Sequence, residues 1–330
     1  MEAVLVTGAG SVGCHFARVA LEHGHRVILL DNAAKEHYIS YVLGPYKATV
    51  VEGDVLDLPL LLHTVQKNSI DLIVHTAGLI GARVYTRPYL GMLVNVQGTV
   101  NIAEVARLSG IKRVVFCSSM AVYALSRLSG LIDETSLTEP DNIYGATKLA
   151  AEQLLLSYGK TFDFEVISLR LAGVYGYGPY TGGSWMGKVL YRLLINALKG
   201  QPRELDPSYL GTNEYIYVKD VATAIYKAIT AQKVSHAIYN IGTGQLTDYK
   251  EIVSTIRDLI PQARINIKKP PTPIVEYLKR SAPYSIQRAK QDLGFVPKYD
   301  LRGGLSDFIT TLMDLDLNQL NLEDDFMNKG

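Results

Sequence analysis

Val4-Leu5-Val6-Thr7-Gly8-Ala9-Gly10-Ser11-Val12-Gly13 is the segment that decides the fold of this 330-residue chain. Its apolar first half is typical of a buried strand, and the glycine-rich turn after it leads into a helical pattern. Gly8 allows a tight turn, Gly10 lets the backbone approach a pyrophosphate, and Gly13 permits close packing of the helix on the sheet. The N-terminus of such a helix presents free N–H groups to phosphates. The segment therefore predicts a dinucleotide site.

The acidic residue at the end of the second predicted strand indicates which dinucleotide is bound. Asp31 lies about 20 residues past the turn, where a carboxylate accepts hydrogen bonds from both ribose hydroxyls and repels a 2′-phosphate. Asn32, Ala33 and Ala34 follow, so no basic side chain stands there to hold such a phosphate. The sequence predicts NAD rather than NADP, with capping of the next helix by Asp31 as the open alternative.

A second carboxylate follows the third predicted strand. In Gly53-Asp54-Val55, Asp54 either lies near the adenine amine of the dinucleotide or closes a turn through its own side chain. The sequence leaves both alternatives open.

The first half of the chain alternates apolar strand patterns with helical patterns. Continuous apolar runs predict strands buried on both faces of a parallel sheet, and their alternation with helices predicts a doubly wound, Rossmann-type α/β fold. The predicted strands are Ala3–Thr7, Arg26–Leu30, Ala48–Glu52, Asp71–His75, Arg113–Cys117 and Glu165–Leu169, and the predicted helices are Val12–His23, Leu58–Asn68, Tyr89–Ser109 and Tyr144–Tyr158.

The pattern changes near residue 175, where several glycines predict an irregular loop. We predict an NAD-binding Rossmann domain over residues 1–175, with returning sheet segments near 215–245, and a smaller C-terminal substrate-binding lobe with helices over 176–330. The elements predicted there are helix Met186–Leu198, strand Tyr239–Ile241, helix Asp248–Ile260 with Thr247 as its N-cap, an extended linker at Pro270–Pro273, helix Gly303–Leu315 and a mobile acidic tail from Asp314.

The composition excludes several classes of protein. The net charge is +1 with both signs well mixed, which argues against nucleic acid and favours a small-molecule partner. Two cysteines in apolar runs suggest a reducing compartment. The chain shows no secretory pattern and no apolar run of the roughly 20 residues that a membrane span needs, so we expect a cytoplasmic protein without membrane contact. The seven histidines lack metal-ligand spacing, and no metal is predicted.

Tyr144 and Lys148 are the predicted acid/base pair. Four residues apart on a helix, their side chains share one face. A phenol has a pKa of about 10, and a neighbouring ammonium lowers that pKa by stabilising the phenolate. Beside an oxidised nicotinamide, which adds positive charge, such a pair can serve as general acid and base. The spacing alone is also common on solvated helix faces.

Hydroxyl groups just upstream support this interpretation. The fifth predicted strand ends in Ser118-Ser119-Met120-Ala121-Val122-Tyr123, at the carboxyl edge of a parallel sheet, where ligands bind in such folds. Ser119 can hydrogen-bond the substrate oxygen that Tyr144 protonates or deprotonates, and capping of the strand end is the alternative.

In this order, the segments resemble the extended short-chain dehydrogenases/reductases of the NAD-dependent epimerase/dehydratase family. The similarity spans nearly the whole chain. It rests on Thr7–Gly13, Asp54-Val55, His75–Gly78, Asn95–Thr99, Ser119–Tyr123, the Tyr144/Lys148 pair, Arg170–Gly176 and Tyr215–Asp220.

The resemblance implies a sheet ordered 3-2-1-4-5-6-7 and a homodimer paired through the helices around 89–109 and 144–158. It also implies that Lys148 holds the nicotinamide ribose and that Asn95 supports the cofactor site. The predicted cofactor-binding residues are Gly8, Gly10, Ser11, Val12, Gly13, Asp31, Asn32, Asp54, Val55, Ala77, Gly78, Asn95, Tyr144, Lys148, Gly173 and Val174.

Two departures from the family pattern reduce the set of reactions and substrates that we expect. The family's dehydratases carry an Asp-Glu pair for acid and base directly after the Ser/Thr position, and here Met120–Ala121 stand there. The nucleotide-sugar enzymes of the family usually carry an Arg that binds the diphosphate at the position of Asn213. They usually carry an Asn at the position of Gly173. We therefore expect neither dehydration nor a nucleotide-diphospho sugar, unless loops bring Arg170 or Arg192 to that place.

The predicted substrate pocket combines aromatic and small residues, which suits a ring or a polyol with one charge. Arg83 is either its anion contact or a solvated loop residue. The predicted substrate contacts are Ile80, Arg83, Ser119, Met120, Tyr175, Trp185 and Asn213.

Three functions agree with these residues. The sequence favours an NAD-dependent oxidoreductase that interconverts a secondary alcohol and a ketone in a sugar, sugar acid or cyclic alcohol, with Tyr144 as general acid/base. The alternative is an NAD-dependent sugar or nucleotide-sugar epimerase with transient oxidation at one carbon. A non-catalytic NAD-binding module is disfavoured because both Tyr144 and Lys148 are present.

Overall fold

A computed structural model describes residues 2–179, 185–206, 212–268 and 282–315, without the side chains of Ala82 and Trp185. The predicted linker at Pro270–Pro273 and most of the predicted acidic tail lie outside these ranges. The strands are β1 (Ala3–Thr7), β2 (Arg26–Asp31), β3 (Thr49–Glu52), β4 (Leu72–His75), β5 (Arg113–Ser119), β6 (Glu165–Leu171), β7 (Gly173–Tyr175), β8 (Arg203–Leu205), β9 (Thr212–Asn213), β10 (Tyr215–Tyr217), β11 (Ile238–Ile241), β12 (Thr247–Asp248) and β13 (Ile265–Ile267). The helices are α1 (Ser11–Glu22), α2 (Glu36–Leu43), α3 (Leu58–Lys67), α4 (Ala82–Thr86), α5 (Pro88–Met92), α6 (Gly98–Ser109), α7 (Ile143–Phe162), α8 (Trp185–Leu198), α9 (Val218–Thr230), α10 (Tyr249–Leu259), α11 (Gln287–Asp292) and α12 (Leu301–Met313).

Seven strands form one parallel sheet in the order β3-β2-β1-β4-β5-β6-β11. This order confirms the predicted α/β class and the sheet order that the resemblance implied, with β11 as the returning strand. β11 pairs with β6, and Tyr239 lies opposite Leu169. Because the strand order reverses between β1 and β4, a crevice for a ligand is expected at the carboxyl ends of these strands.

The central strands β1 and β4 are buried on both faces, whereas the edge strand β3 is mostly exposed. Alternate residues of each strand point to opposite sides. Val4 and Val6 belong to the apolar core on one face, and Ala3 and Leu5 belong to the core on the other. The first core also contains residues of α8, α9, α10 and α12, so the C-terminal elements pack on the same apolar layer as the sheet. None of the described helices is both long and apolar enough to cross a membrane.

Two predicted elements differ from the structure. The helix predicted over Tyr89–Ser109 is divided into α5, a π-helical turn at Leu93–Gln97, and α6. The N-cap predicted at Thr247 is instead Asp248, whose carboxylate accepts hydrogen bonds from two backbone N–H groups of the first turn of α10. Thr247 lies in an antiparallel pair with Asn213, and α10 begins at Tyr249, one residue later than predicted.

Candidate active site

The glycine-rich turn lies against the end of β4. Gly8 has a φ of +91°, and a Cβ there would lie 2.8 Å from the backbone nitrogen of Ala77, so only glycine fits. A Cβ on Gly13 would lie 1.9 Å from the carbonyl oxygen of Gly8, whereas a Cβ on Gly10 would meet no atom of the described chain within 4 Å. Gly8 and Gly13 therefore serve packing, and Gly10 faces open space.

The start of α1 leaves backbone donors for a ligand. Gly10 is its N-cap, and within the described ranges no side chain caps this end. The hydroxyl of Ser11 donates to the carbonyl of Tyr177 at 2.8 Å, which ties the loop after β7 to the start of the helix. Val12 is half-buried against the core. The N–H groups of this first turn are the groups that phosphates bind in such folds.

Asp31 holds the glycine-rich turn through its carboxylate. Its Oδ2 accepts a hydrogen bond from the N–H of Ala9, and its Oδ1 accepts one from the N–H of Ala33, each at 2.8 Å. The N-cap of α2 is Lys35, so the alternative that Asp31 caps the next helix is wrong. Each carboxylate oxygen keeps a further lone pair, with which Asp31 can accept a ribose hydroxyl.

Asp54 closes a turn and also reaches the neighbouring strand end. Its Oδ1 accepts a hydrogen bond from the N–H of Leu56 at 2.9 Å, and its Oδ2 accepts one from the side-chain amide of Asn32 at 2.7 Å. The turn alternative is therefore correct, and the adenine contact stays a prediction. The next residue, Val55, buries its side chain against Gly98 of α6.

Asn95, inside the π-helical turn, joins the loop after β4 to α7. Its Oδ1 accepts a hydrogen bond from the N–H of Leu79 at 2.7 Å, and its Nδ2 donates to the Oγ1 of Thr147 at 3.0 Å. A Cβ on Gly78 would lie 3.1 Å from this Oδ1 and 3.4 Å from the Nζ of Lys148. The π-helical turn, a feature often found at functional sites, thus fixes backbone beside the predicted acid/base pair.

The structure brings Ser119, Tyr144 and Lys148 together. The hydroxyl of Ser119 lies beside that of Tyr144, and Ser119 also caps the turn after β5 by accepting from the N–H of Ala121 at 3.1 Å. Lys148 is 4% exposed, and its ammonium donates to the carbonyl of Cys117 at 2.9 Å. The capping role of Ser119 is therefore present, and its hydrogen bond to the substrate oxygen stays a prediction.

The pKa of Tyr144 differs from the expectation that the neighbouring ammonium lowers it. Burial raises the pKa of Tyr144 to about 12, and the hydrogen bond from Ser119 acts in the opposite direction. Burial lowers the pKa of Lys148 to about 8. The ammonium of Lys148 donates to the Cys117 carbonyl, and burial is the largest effect on the pKa of the phenol. In the protein alone, Tyr144 is a neutral acid and becomes a base only when positive charge is added beside it.

These residues fit a dinucleotide. The uncapped helix start and the open space at Gly10 suit a pyrophosphate. The carboxylate of Asp31 lies at one end of this cradle, and the pair of Tyr144 and Lys148 lies at the carboxyl end of β5, where the nicotinamide is expected. Within the described ranges, no three His, Cys, Asp or Glu side chains are grouped to hold a metal ion.

Two predicted substrate contacts lie in the core instead. Met120 is 1% exposed and packs in the core. The ring of Tyr175 lies 5.2 Å from that of Tyr217, and a Cβ on Gly304 of α12 would lie 2.0 Å from the Tyr175 hydroxyl. Both side chains are buried in the apolar core, which argues against these two predicted substrate contacts.

The two departures at Asn213 and Gly173 contact a common residue. The Nδ2 of Asn213 lies 2.7 Å from the Sδ of Met186, and its Oδ1 accepts from the N–H of Glu214. A Cβ on Gly173 would lie 2.5 Å from the Cε of Met186. Met186 thus occupies the space that a longer side chain at residue 173 would need, and the buried Asn213 amide is already hydrogen-bonded within the protein.

The other predicted residues have mixed positions. Ile80 and Val174 are half-buried, and Arg83 is exposed. The side chain of Trp185 lies outside the described residues. Arg170 is 2% exposed and pairs with Glu152 at 2.7 Å, so it does not replace the missing diphosphate arginine.

Gly145 is a site residue that the sequence analysis missed. A Cβ there would lie 2.0 Å from the carbonyl oxygen of Ala121, so α7 touches the turn after β5 directly beside Tyr144. A glycine in a helix costs about 1 kcal/mol relative to alanine. An unfavourable glycine next to Tyr144 was therefore the feature of the sequence that could have indicated a close contact at this position.

Comparison with known proteins gives a consistent result. The profile of the "NAD dependent epimerase/dehydratase family" matches residues 4–242. A UDP-glucose 4-epimerase of Rhizobium leguminosarum bv. trifolii is 30% identical, with coverage of 91% of this chain and 94% of the relative. One of Corynebacterium glutamicum is 28% identical, with coverage of 92% and 93%. The structure of the UDP-glucose 4-epimerase of Thermus thermophilus in complex with NAD superposes with a TM-score of 0.82 at 28% identity, and covers 95% of this chain and 100% of that one.

Proposed function

The chain belongs to the NAD-dependent epimerase/dehydratase family, and from this premise we propose that it is a nucleotide-sugar epimerase that inverts one carbon of its substrate. The observation that carries the proposal is the Tyr144 hydroxyl beside Ser119, next to a turn that carries no carboxylate at residues 120 and 121. Epimerisation needs one group that takes a hydroxyl proton and returns it, and Tyr144 beside Ser119 supplies it. Dehydration needs a further acid and base, and Met120–Ala121 cannot transfer a proton.

Each residue of the site has its own role in the proposed reaction. When bound, NAD would supply the acceptor and the donor of the hydride at the carbinol carbon of the sugar, and inversion requires that the ketone turn in the pocket so that the hydride returns to its opposite face. Tyr144 takes the hydroxyl proton as the carbon is oxidised and gives it back as the carbon is reduced, and Ser119 holds the same oxygen. The ammonium of Lys148 and the oxidised nicotinamide add the positive charge that Tyr144 needs to act as a base.

The proposed substrate is a UDP-sugar of the UDP-glucose type. The two bacterial relatives named UDP-glucose 4-epimerase, which this chain matches almost from end to end, support it. They favour the epimerase alternative over the oxidoreductase that the sequence favoured. Asn213 and Gly173 argued against a diphosphate, but backbone N–H groups also bind phosphates, so the loss of one arginine is a weak guide to the substrate.

The test is the reaction of the purified protein with UDP-glucose. We expect its conversion into the C4 epimer by NMR, with no net absorbance of NADH because the hydride returns to the substrate. Free sugars, sugar acids and cyclic alcohols assayed with NAD test the oxidoreductase. Accumulation of NADH with one of these, without epimerisation of UDP-glucose, would overturn the proposal.

We also propose that the protein forms a homodimer through α6 and α7. Leu108 on α6 and Leu154 and Phe162 on α7 are large apolar side chains that stay exposed on neighbouring helices. Burial of such a face against a second copy removes apolar surface from water. The predicted cytoplasmic location stays a prediction.

Leu154→Arg is expected to weaken this dimer, because it places a charge in an apolar contact. Sedimentation velocity at micromolar concentration should give twice the monomer mass for the natural protein and the monomer mass for the variant. Leu131→Arg changes an exposed leucine away from both helices and should leave the mass at twice the monomer value. A natural protein that sediments as a monomer contradicts the proposal.

A further inference from the structure

His75 is a buried polar side chain to which the proposed mechanism assigns no role. It lies at the end of β4, opposite Thr7 at the end of β1, and both residues are fully buried. Its Nδ1 lies 2.6 Å from the Oγ1 of Thr7, and its Nε2 lies 3.0 Å from the Oγ1 of Thr99 on α6. Each ring nitrogen therefore has a hydroxyl partner inside the protein.

The hydrogen bonds of Thr99 fix the tautomer of this imidazole. A carbonyl oxygen can only accept, so the Thr99 hydroxyl donates its single proton to the carbonyl of Asn95, at 2.7 Å. Towards His75, Thr99 can then only accept, and the proton of the neutral ring must be on Nε2. The lone pair on Nδ1 accepts the proton of the Thr7 hydroxyl. The directions of three consecutive hydrogen bonds thus follow from one carbonyl group.

The surroundings of His75 keep its ring neutral at pH 7. Burial lowers the pKa of His75 to about 3, and the charge of Lys148 acts in the same direction. The ring of Phe116 stacks on that of His75 with their centres 5.6 Å apart, and the Nζ of Lys148 lies 4.8 Å from the centre of the Phe116 ring. A second proton on His75 would place another buried positive charge near this ammonium.

From Thr99 the hydrogen bonds continue to the helix that carries the acid/base group. A threonine hydroxyl that bonds back to the carbonyl one helical turn earlier often bends a helix, and here that carbonyl lies in the π-helical turn. The side chain of Asn95 bonds both the N–H and the carbonyl of Leu79 and donates to Thr147 at 3.0 Å. The Thr147 hydroxyl donates to the carbonyl of Tyr144 at 2.8 Å. A continuous chain of hydrogen bonds therefore joins the end of β1 to the start of α7.

We propose that His75 is a positioning residue, which as its Nε2–H tautomer holds the π-helical turn through Thr99 and so sets the place of Tyr144. It acts on the reaction through Asn95 and Thr147, and its two hydrogen bonds to hydroxyls require an imidazole with one proton. The link to turnover rests on the proposed function, whereas the tautomer does not.

The tautomer is measured by NMR on the NAD-loaded protein with 15N-labelled histidine. The ring nitrogen that carries the proton shows a direct coupling to it, and His75→Gln identifies the signals of His75 among the seven histidines. We expect the proton on Nε2 in the natural protein. In Thr99→Val it should move to Nδ1, because the Thr7 hydroxyl can turn and accept it, whereas in the matched control Thr7→Val it should stay on Nε2. A natural protein with the proton on Nδ1, or a Thr99→Val protein that keeps it on Nε2, overturns the inference.

Turnover tests the positioning role. Thr99→Val should lower kcat for UDP-glucose by about tenfold, a part of the roughly 10²-fold loss that a displacement of about 1 Å brings. KM should stay nearly constant, because the contacts made to the bound substrate are kept. Thr99→Ser retains the hydroxyl and should restore both the Nε2 proton and kcat, which a role in packing alone does not predict. If Thr99→Val does not fold, Thr99→Ala removes the same hydroxyl and takes its place in both measurements.

Two outcomes separate this inference from the proposed function. An unchanged kcat in a Thr99 variant whose proton has moved to Nδ1 overturns the positioning role of His75. A natural protein with the Nε2 proton that oxidises another alcohol and epimerises no UDP-sugar contradicts the proposed function instead, and the same comparison of kcat is then made with that alcohol.

Discussion

Tyr144→Phe is expected to lower the rate of epimerisation of UDP-glucose by about 10³-fold, the range that a general acid/base contributes. The change removes the hydroxyl that lies beside Ser119 and keeps the ring. Met120 carries no acidic proton, and the ammonium of Lys148 donates to the Cys117 carbonyl, so neither of these neighbours supplies the proton transfer. The rate is measured by NMR from the appearance of the C4 epimer.

The control for this variant is Tyr158→Phe. Tyr158 lies on the same helix, is half-buried, and loses the same hydroxyl at a position away from the site. Its rate should stay within twofold of the natural protein. A Tyr144→Phe protein that keeps the natural rate would show that another group moves the proton, and the proposed mechanism would then be wrong.

The central sheet was predictable because most of its strands are continuous apolar runs, which are typical of strands buried on both faces. The continuous apolar runs at β1, β2 and β4 place them in a parallel sheet, and the glycine-rich turn fixes where the cofactor approaches. α9 was missed although its apolar residues Val218, Val221, Ile225 and Ile229 recur at helical spacing, so the sequence contained that helix. The break at Leu93–Gln97 was not predictable, because it depends on the bonds of Asn95 to Leu79 and Thr147 across the fold.

The substrate side of the site was harder to predict than the cofactor side. Pockets and cores are lined by the same apolar and aromatic residue types, so nothing in the sequence shows that Tyr175 packs on α12 and Met120 in the core. Strand ends, by contrast, meet at one edge of a parallel sheet whatever their side chains, which is why Asp31 and Ser119 were placed correctly at that edge. The network of Glu152 and Arg170 joins residues far apart in sequence, and no short pattern indicates it.

Gly145→Ala is expected to reduce turnover by about 10²-fold, the effect of a displacement of about 1 Å in a catalytic group. The added Cβ would lie 2.0 Å from the carbonyl oxygen of Ala121 and 2.9 Å from its carbonyl carbon. These are backbone atoms and cannot swing aside, so the start of α7 must move away from the turn at Met120–Val122. That movement separates Tyr144 from Ser119, and the melting temperature should fall by several degrees.

Ala146→Gly separates this effect from helix propensity. Ala146 is exposed in the same turn of α7, and its change to glycine costs about 1 kcal/mol of helix stability without moving Tyr144. Its melting temperature should therefore fall slightly while turnover stays at the natural value.

Helix propensity alone predicts the opposite result for Gly145→Ala, namely a more stable protein with alanine at residue 145. If Gly145→Ala raises the melting temperature and keeps the natural rate, close contact between α7 and the turn after β5 does not position the acid/base group. If both decrease, the glycine beside Tyr144 is required because it lets the helix touch the strand end that carries Ser119.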